Sequence, residues 1–162
     1  MRIVIAEDEP KSREGLIRLI RRFTDYEIAG VAENGEEGYR MVEKEKPDLV
    51  LSDIKMPVLD GLGMLQKIKE ADIEVQAVLL TGYSEFEYAR SAIQYHVSQY
   101  LLKPASKDQV IAAVKEVCEK IVTSKSNTRI KESELAFLKV GLRMLNFCPI
   151  PTNIPTKDWP KP

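Results

Sequence analysis

The sequence predicts an α/β protein built on a five-stranded parallel sheet, and two observations carry that prediction. Through residue 122, short β-branched runs alternate with longer stretches of helical periodicity, the pattern of βα units around a parallel sheet. Each short run is mostly apolar, as expected of strands covered by helices on both faces.

The strands are expected, in order, at residues 3–6, 27–32, 49–52, 77–80 and 99–102. Helical segments begin between and after them near Lys11, Gly35, Gly61, Ser84 and Lys107. Pro10 suits a first helical turn because its missing N–H has no partner there, and Ser84 and Ser106 suit caps. In the last segment Val110, Ile111, Val114, Val117, Cys118, Ile121 and Val122 recur at helical spacing and form one apolar stripe that must be buried. The polar run TSKSNT then breaks the stripe and marks a linker or a fraying helix end. Leu135, Leu138, Leu142 and Leu145 follow at three- and four-residue steps, predicting an amphipathic helix over about 131–147, too short for a claim of coiled coil. The end, CPIPTNIPTKDWPKP, holds five of the nine prolines and is expected to be extended or disordered. The organisation is thus a main domain at 1–122, a linker and amphipathic helix at 123–147, and a proline-rich tail at 148–162.

Composition excludes several function classes. The chain has 162 residues with 24 Lys and Arg against 25 Asp and Glu, so its formal charge of −1 gives no global field toward nucleic acid or an anionic membrane. Cys118 and Cys148 lack a Cys/His partner pattern, which argues against a disulfide framework or a zinc site, and Cys118 is expected in a helix core. The N-terminus MRIVIAEDEP is neither a signal peptide nor an anchor, and no run is long enough to span a bilayer. A cytoplasmic protein without membrane contact is expected. His96, the only histidine, supports no metal cluster and is expected in a structural role; Gly61-Leu62-Gly63 lacks the third glycine of a dinucleotide fingerprint. Trp159, among prolines, is expected in the disordered tail.

Ligands of a parallel α/β sheet gather beyond the carboxyl ends of the strands, so the residues just after each strand are considered together. They are Glu7, Asp8 and Glu9 after strand 1, Asp53 after strand 3, Thr81 after strand 4, and Lys103 with Pro104 after strand 5. Singly, each has an ordinary explanation as a solvated loop acid, a turn residue or a surface charge, and Tyr100 as a core or edge aromatic. Jointly they converge on one rim. Glu7, Asp8 and Asp53 supply hard oxygen ligands and excess negative charge, an arrangement that suits Mg2+, which takes a few carboxylates plus waters and phosphate oxygens. An ionised Asp53 could attack phosphorus to form an acyl phosphate, with Lys103 and Thr81 placed to meet the transferred charge.

Glu7-Asp8, the run DLVLSDIKMPVLDGLGML at 48–65, LLTGYSEFEYARSAI at 79–93 and YLLKP at 100–104 together resemble a two-component response-regulator receiver domain. The resemblance covers residues 2 to about 122. It implies a doubly wound, flavodoxin-like sheet of order 2-1-3-4-5, with Asp53 phosphorylated by a sensor histidine kinase. It further implies that the carbonyl of Lys55 completes a metal site with Glu7, Asp8 and Asp53, that Lys103 contacts the phosphoryl group, and that the bond before Pro104 is cis. Thr81 and Tyr100 match the switch pair, in which the hydroxyl moves to the phosphoryl group and the ring turns inward. The altered surface would include residues 87–95 and the segment after Ser106, with homodimerisation on phosphorylation as one outcome.

The stretch GYSEFEYARSAI resembles receivers joined to AraC-type DNA-binding domains. Such an output domain needs roughly a hundred further residues with two helix-turn-helix units. Only forty follow Val122, and their charge is mixed, so a receiver-plus-linker fragment of a transcriptional regulator is expected, without DNA binding by this chain. Two other classes fit the residues less well. A haloacid-dehalogenase-type phosphohydrolase would carry a second Asp two positions after its nucleophile, where this chain has Lys55. A constitutive interaction module with a degenerate site is disfavoured because every expected group is present.

Overall fold

The structure, a computed structural model, describes residues 1–82 and 97–145, with side chains through 126. The helix expected from Ser84, including 87–95 and His96, lies outside the described residues, as do Phe147, Cys148, Trp159 and the rest of 146–162.

Among the described residues nine elements follow in order: β1 (Arg2–Ala6), α1 (Pro10–Phe23), β2 (Glu27–Ala32), α2 (Gly35–Glu45), β3 (Leu49–Asp53), α3 (Gly61–Glu70), β4 (Gln76–Thr81), β5 (Gln99–Leu102) and α4 (Lys107–Leu145). The five strands form one parallel sheet of order β2-β1-β3-β4-β5, as the resemblance implies. Each expected strand lies where the apolar runs place it, to within a residue at either end.

Successive strand residues point to opposite faces, so each apolar strand feeds two cores. Ile3, Ile5, Leu49, Leu51, Val78 and Leu80 pack with Leu16, Leu19 and Ile20 of α1 and with Val110, Val114, Val117, Cys118 and Ile121 of α4. Val4, Ala6, Val50, Ala77 and Leu79 pack instead with Val42 of α2 and Leu62, Met64, Leu65 and Ile68 of α3. Full burial of each large aliphatic side chain is worth about 1.5–3 kcal/mol, which is why short strands suffice.

Local signals fix where the helices begin. Pro10 opens α1, Asn34 accepts the Glu37 N–H at 2.9 Å to cap α2, and Asp60 accepts the Gly63 N–H at 2.7 Å to cap α3. Ser106 and Gln109 form a reciprocal capping box at α4, Oγ accepting the Gln109 N–H at 3.2 Å and Oε1 accepting the Ser106 N–H at 2.8 Å.

The chain divides into two compact units, Met1–Val122 and Thr123–Pro162. One difference from the sequence reading concerns the polar TSKSNT run. Helix α4 runs through it to Leu145 instead of stopping for a linker. The run contains neither Gly nor Pro, and Ser, Asn, Thr and Lys each cost a helix less than about 0.7 kcal/mol, too little to force a break.

Candidate functional site

The carboxyl edge of the sheet brings four of the expected residues together. Glu7 follows β1 directly, and its backbone N–H donates to the Ala32 carbonyl at 3.1 Å, extending the β1–β2 pairing one step past the strand. Asp53 ends β3. Lys103, just past β5, reaches back across the sheet, and its Nζ donates to Asp53 Oδ2 at 2.7 Å and to Glu7 Oε2 at 2.8 Å. Carboxylate oxygens of Glu7, Asp8 and Asp53 all lie within 4.8 Å of one another. Burial grades across the group, with Glu7 fully buried, Asp53 half-buried and Asp8 exposed. The cluster is therefore open on the Asp8 side.

The electrostatics follow from that gradient. Burial pushes the Glu7 carboxyl above its ordinary range, and the Asp53 charge adds to the rise, while the Lys103 ammonium pulls it partly back. Burial alone would lower Lys103, but its bonds to Asp53 and Glu7 outweigh desolvation and raise it, so the ammonium stays charged. One cation against three carboxylates leaves the group with net negative charge. Three hard oxygen donors so placed, one of them facing solvent, fit a divalent cation such as Mg2+.

Asp53 is held from several sides. Its Oδ1 accepts the Ile54 N–H at 2.6 Å, and its carbonyl accepts the Ser52 hydroxyl at 2.7 Å. Gly61 packs against the same carbonyl so closely that an added Cβ would lie 2.2 Å from the oxygen. Only glycine fits there. The helix α3 thereby starts directly behind Asp53, its first N–H, that of Gly61, donating to the Ile54 carbonyl at 2.8 Å.

The other expected residues occupy stated places around this centre. Thr81 is fully buried at the end of β4, one position beyond Leu80, which pairs with Asp53 of β3. Its carbonyl accepts the Lys103 N–H at 2.6 Å, and the Lys103–Pro104 bond is cis. Tyr100 lies half-buried on β5, opposite Leu79 and against the α2–α3 core. Lys55 is exposed in the turn after β3. The sequence reading missed Arg13, whose guanidinium donates to the Glu7 and Asp8 carbonyls at 2.8 and 3.0 Å. Its signal is a long cation one turn into a helix that starts behind an acid pair, since helical side chains lean toward the N-terminus. A groove of about 690 Å³ opens beside Lys103, between α1 and the start of α4, floored by Leu16, Leu19 and Val110.

A doubly wound parallel sheet with acids, a lysine and a cis-proline gathered at one edge defines the class of flavodoxin-like signalling domains. The chain belongs to the response-regulator receiver family: the family model of the response regulator receiver domain matches residues 3–115. It is 36% identical over 117 residues to the transcriptional regulatory protein YesN of Bacillus subtilis, covering 72% of this chain and 32% of that one. To the transcriptional regulatory protein HptR of Staphylococcus aureus it is 37% identical over 111 residues, covering 67% and 43%. Among solved structures, the receiver domain of AraT, a response regulator from Geobacillus stearothermophilus, superposes with a TM-score of 0.69 at 33% identity, covering 76% of this chain and 97% of that one. The chain spans less than half the length of the curated relatives it matches. It carries the receiver domain of a two-component response regulator. No helix among the described residues is long and apolar enough to cross a membrane.

Proposed function

We propose that Asp53 accepts a phosphoryl group from the phosphohistidine of a sensor kinase. The observation that carries this reading is the Lys103 ammonium bound at once to Asp53 and Glu7 beside the exposed Asp8. An Asp53 carboxylate oxygen forms the new P–O bond as the P–N bond of the donor breaks and the imidazole leaves. Lys103 then moves its hydrogen bond from the carboxylate to a phosphoryl oxygen. Glu7, Asp8, Asp53 and the carbonyl of Lys55 would hold Mg2+, which when bound neutralises the charge crowded between acid and phosphate.

The response runs through Thr81 and Tyr100. Phosphorylation adds roughly two negative charges, drawing the Thr81 hydroxyl toward the phosphoryl group and letting the Tyr100 ring turn inward. That alters a surface for an interaction or for homodimerisation. The domain accepts phosphate and does not turn over substrate, because the position two after Asp53 is Lys55 and supplies no general acid. Residues 1–122 act as the receiver of a cytoplasmic transcriptional regulator, a reading supported by the division at Val122 and by the regulators among its relatives.

Incubation with acetyl phosphate and Mg2+ should add one hydroxylamine-sensitive phosphate per chain, detected by intact mass. Asp53→Asn should abolish it. Unlabelled wild type, or equal labelling of the variant, would sink the assignment.

A further inference from the structure

Asp8 is the exposed member of the acid cluster, so packing around its own side chain does little to hold its carboxylate toward Glu7 and Asp53. What sets its direction is the backbone. The carbonyls of Glu7 and Asp8 belong to the two peptide planes that flank the Asp8 Cα, and the orientation of both planes fixes where the side chain leaves the chain. One guanidinium bonds both carbonyls: Arg13 Nη1 donates to Glu7 O at 2.8 Å and to Asp8 O at 3.0 Å.

The same fork is anchored at its other end. Arg13 Nη2 donates to Glu33 Oε1 at 2.8 Å, and the Glu33 N–H in turn donates to Glu37 Oε2 at 3.1 Å in the first turn of α2. Arg13 is itself largely buried, its side chain 15% exposed, unlike a solvated surface arginine. A lysine could not repeat this, since a single ammonium lacks the planar fork that spans two carbonyls and a carboxylate.

We propose that Arg13 is a positioning residue of the metal site, fixing the Asp8 backbone so that its carboxylate faces the ion. The inference rests on the reading of Glu7, Asp8 and Asp53 as metal ligands. It has a sign that separates it from simple electrostatics. A positive charge beside the acids opposes a cation, so by charge alone its removal would tighten binding. Positioning requires the reverse.

The test measures Mn2+ binding to the full chain by the loss of the free-ion electron paramagnetic resonance signal, without phosphodonor. Arg13→Met should weaken binding about tenfold, the usual scale for a group that orients a ligand from behind. Arg13→Lys should also weaken it, although charge is kept, and Glu33→Gln should weaken it less. In acetyl phosphate labelling, the Mg2+ concentration for half-maximal rate should rise likewise, while the rate at saturating Mg2+ stays within about twofold of wild type. Arg13→Met binding Mn2+ as tightly as wild type or more tightly overturns the proposal. Should Arg13→Met fail to fold, unchanged affinity in both Arg13→Lys and Glu33→Gln overturns it. Wild type that binds no better than Asp8→Asn overturns the metal reading itself.

Discussion

The strands that carry the acids and the strand that carries the lysine are built differently. Every residue of β3 before Asp53 is buried, as are residues 3–6 of β1, and both strands lie inside the sheet. β5 lies at the sheet edge, four residues long, with three half-buried and Leu102 exposed. Asp53 is thus set in the most densely covered part of the domain, while the cation that bonds to it stands on the lightest. What keeps Lys103 in place is contact across the sheet, to Glu7 and Asp53, more than burial of its own strand. On the proposed reading this division suits a switch: the acceptor is held by the dense interior, and the strand that carries Lys103 and Tyr100 has little packing to lose.

The same truncation in the two strands should expose that contrast most strongly. Leu51→Ala, in the middle of β3, should cost about 3 kcal/mol in urea unfolding, from lost transfer energy and the cavity left behind. Leu102→Ala should change stability by no more than about 0.5 kcal/mol, because its side chain already meets solvent. Similar losses at both positions would erase the distinction.

A smaller effect with a more local reach is expected behind Asp53. Gly61→Ala must push the start of α3 away from the Asp53 carbonyl, with an expected loss of about 1–3 kcal/mol. Because the displaced atoms belong to Asp53, the proposed acceptor, labelling by acetyl phosphate should slow under conditions where the variant remains folded.

The smallest effect concerns the helices that flank the interior strands. Lys67 Nζ donates to Glu36 Oε2 at 2.6 Å, tying α3 to α2, and this bond holds the Glu36 carboxyl below its ordinary value of 4.5. A carboxyl depressed in the folded state contributes stability that is complete above its unfolded value and is lost as pH falls through the folded one. The advantage of wild type over Lys67→Met should therefore be present at neutral pH and close below about pH 4.5. Both groups are partly exposed and screened by salt, so urea midpoints at low ionic strength are the sensitive readout.

The sheet was legible in the sequence because interior strands are apolar on both faces and carry their signature without help from partners. Glu7, Asp8, Asp53 and Lys103 were legible for a related reason: each stands at or just past the carboxyl end of a strand, and topology does the rest. Arg13 was harder to see: its place one turn into the helix behind an acid pair is only a weak signal, because two of its partners are backbone carbonyls, which leave no trace in residue identity. Gly61 was visible as a glycine but not as a contact, because the atom it makes room for is the carbonyl of a residue eight positions earlier. The continuity of α4 was hidden by polarity, which signals exposure as readily as it signals a break.

Lys103 has one further consequence. By bonding to two of the three carboxylates, it acts as a resident counter-ion, so the acids are partly neutralised before any metal arrives. A site of bare carboxylates would make folding hostage to the ion, as in small domains that collapse under chelators. Here a chelator should silence the chemistry and leave the domain intact. On the proposed reading, magnesium supply governs how fast this protein can be informed, not whether it survives to be.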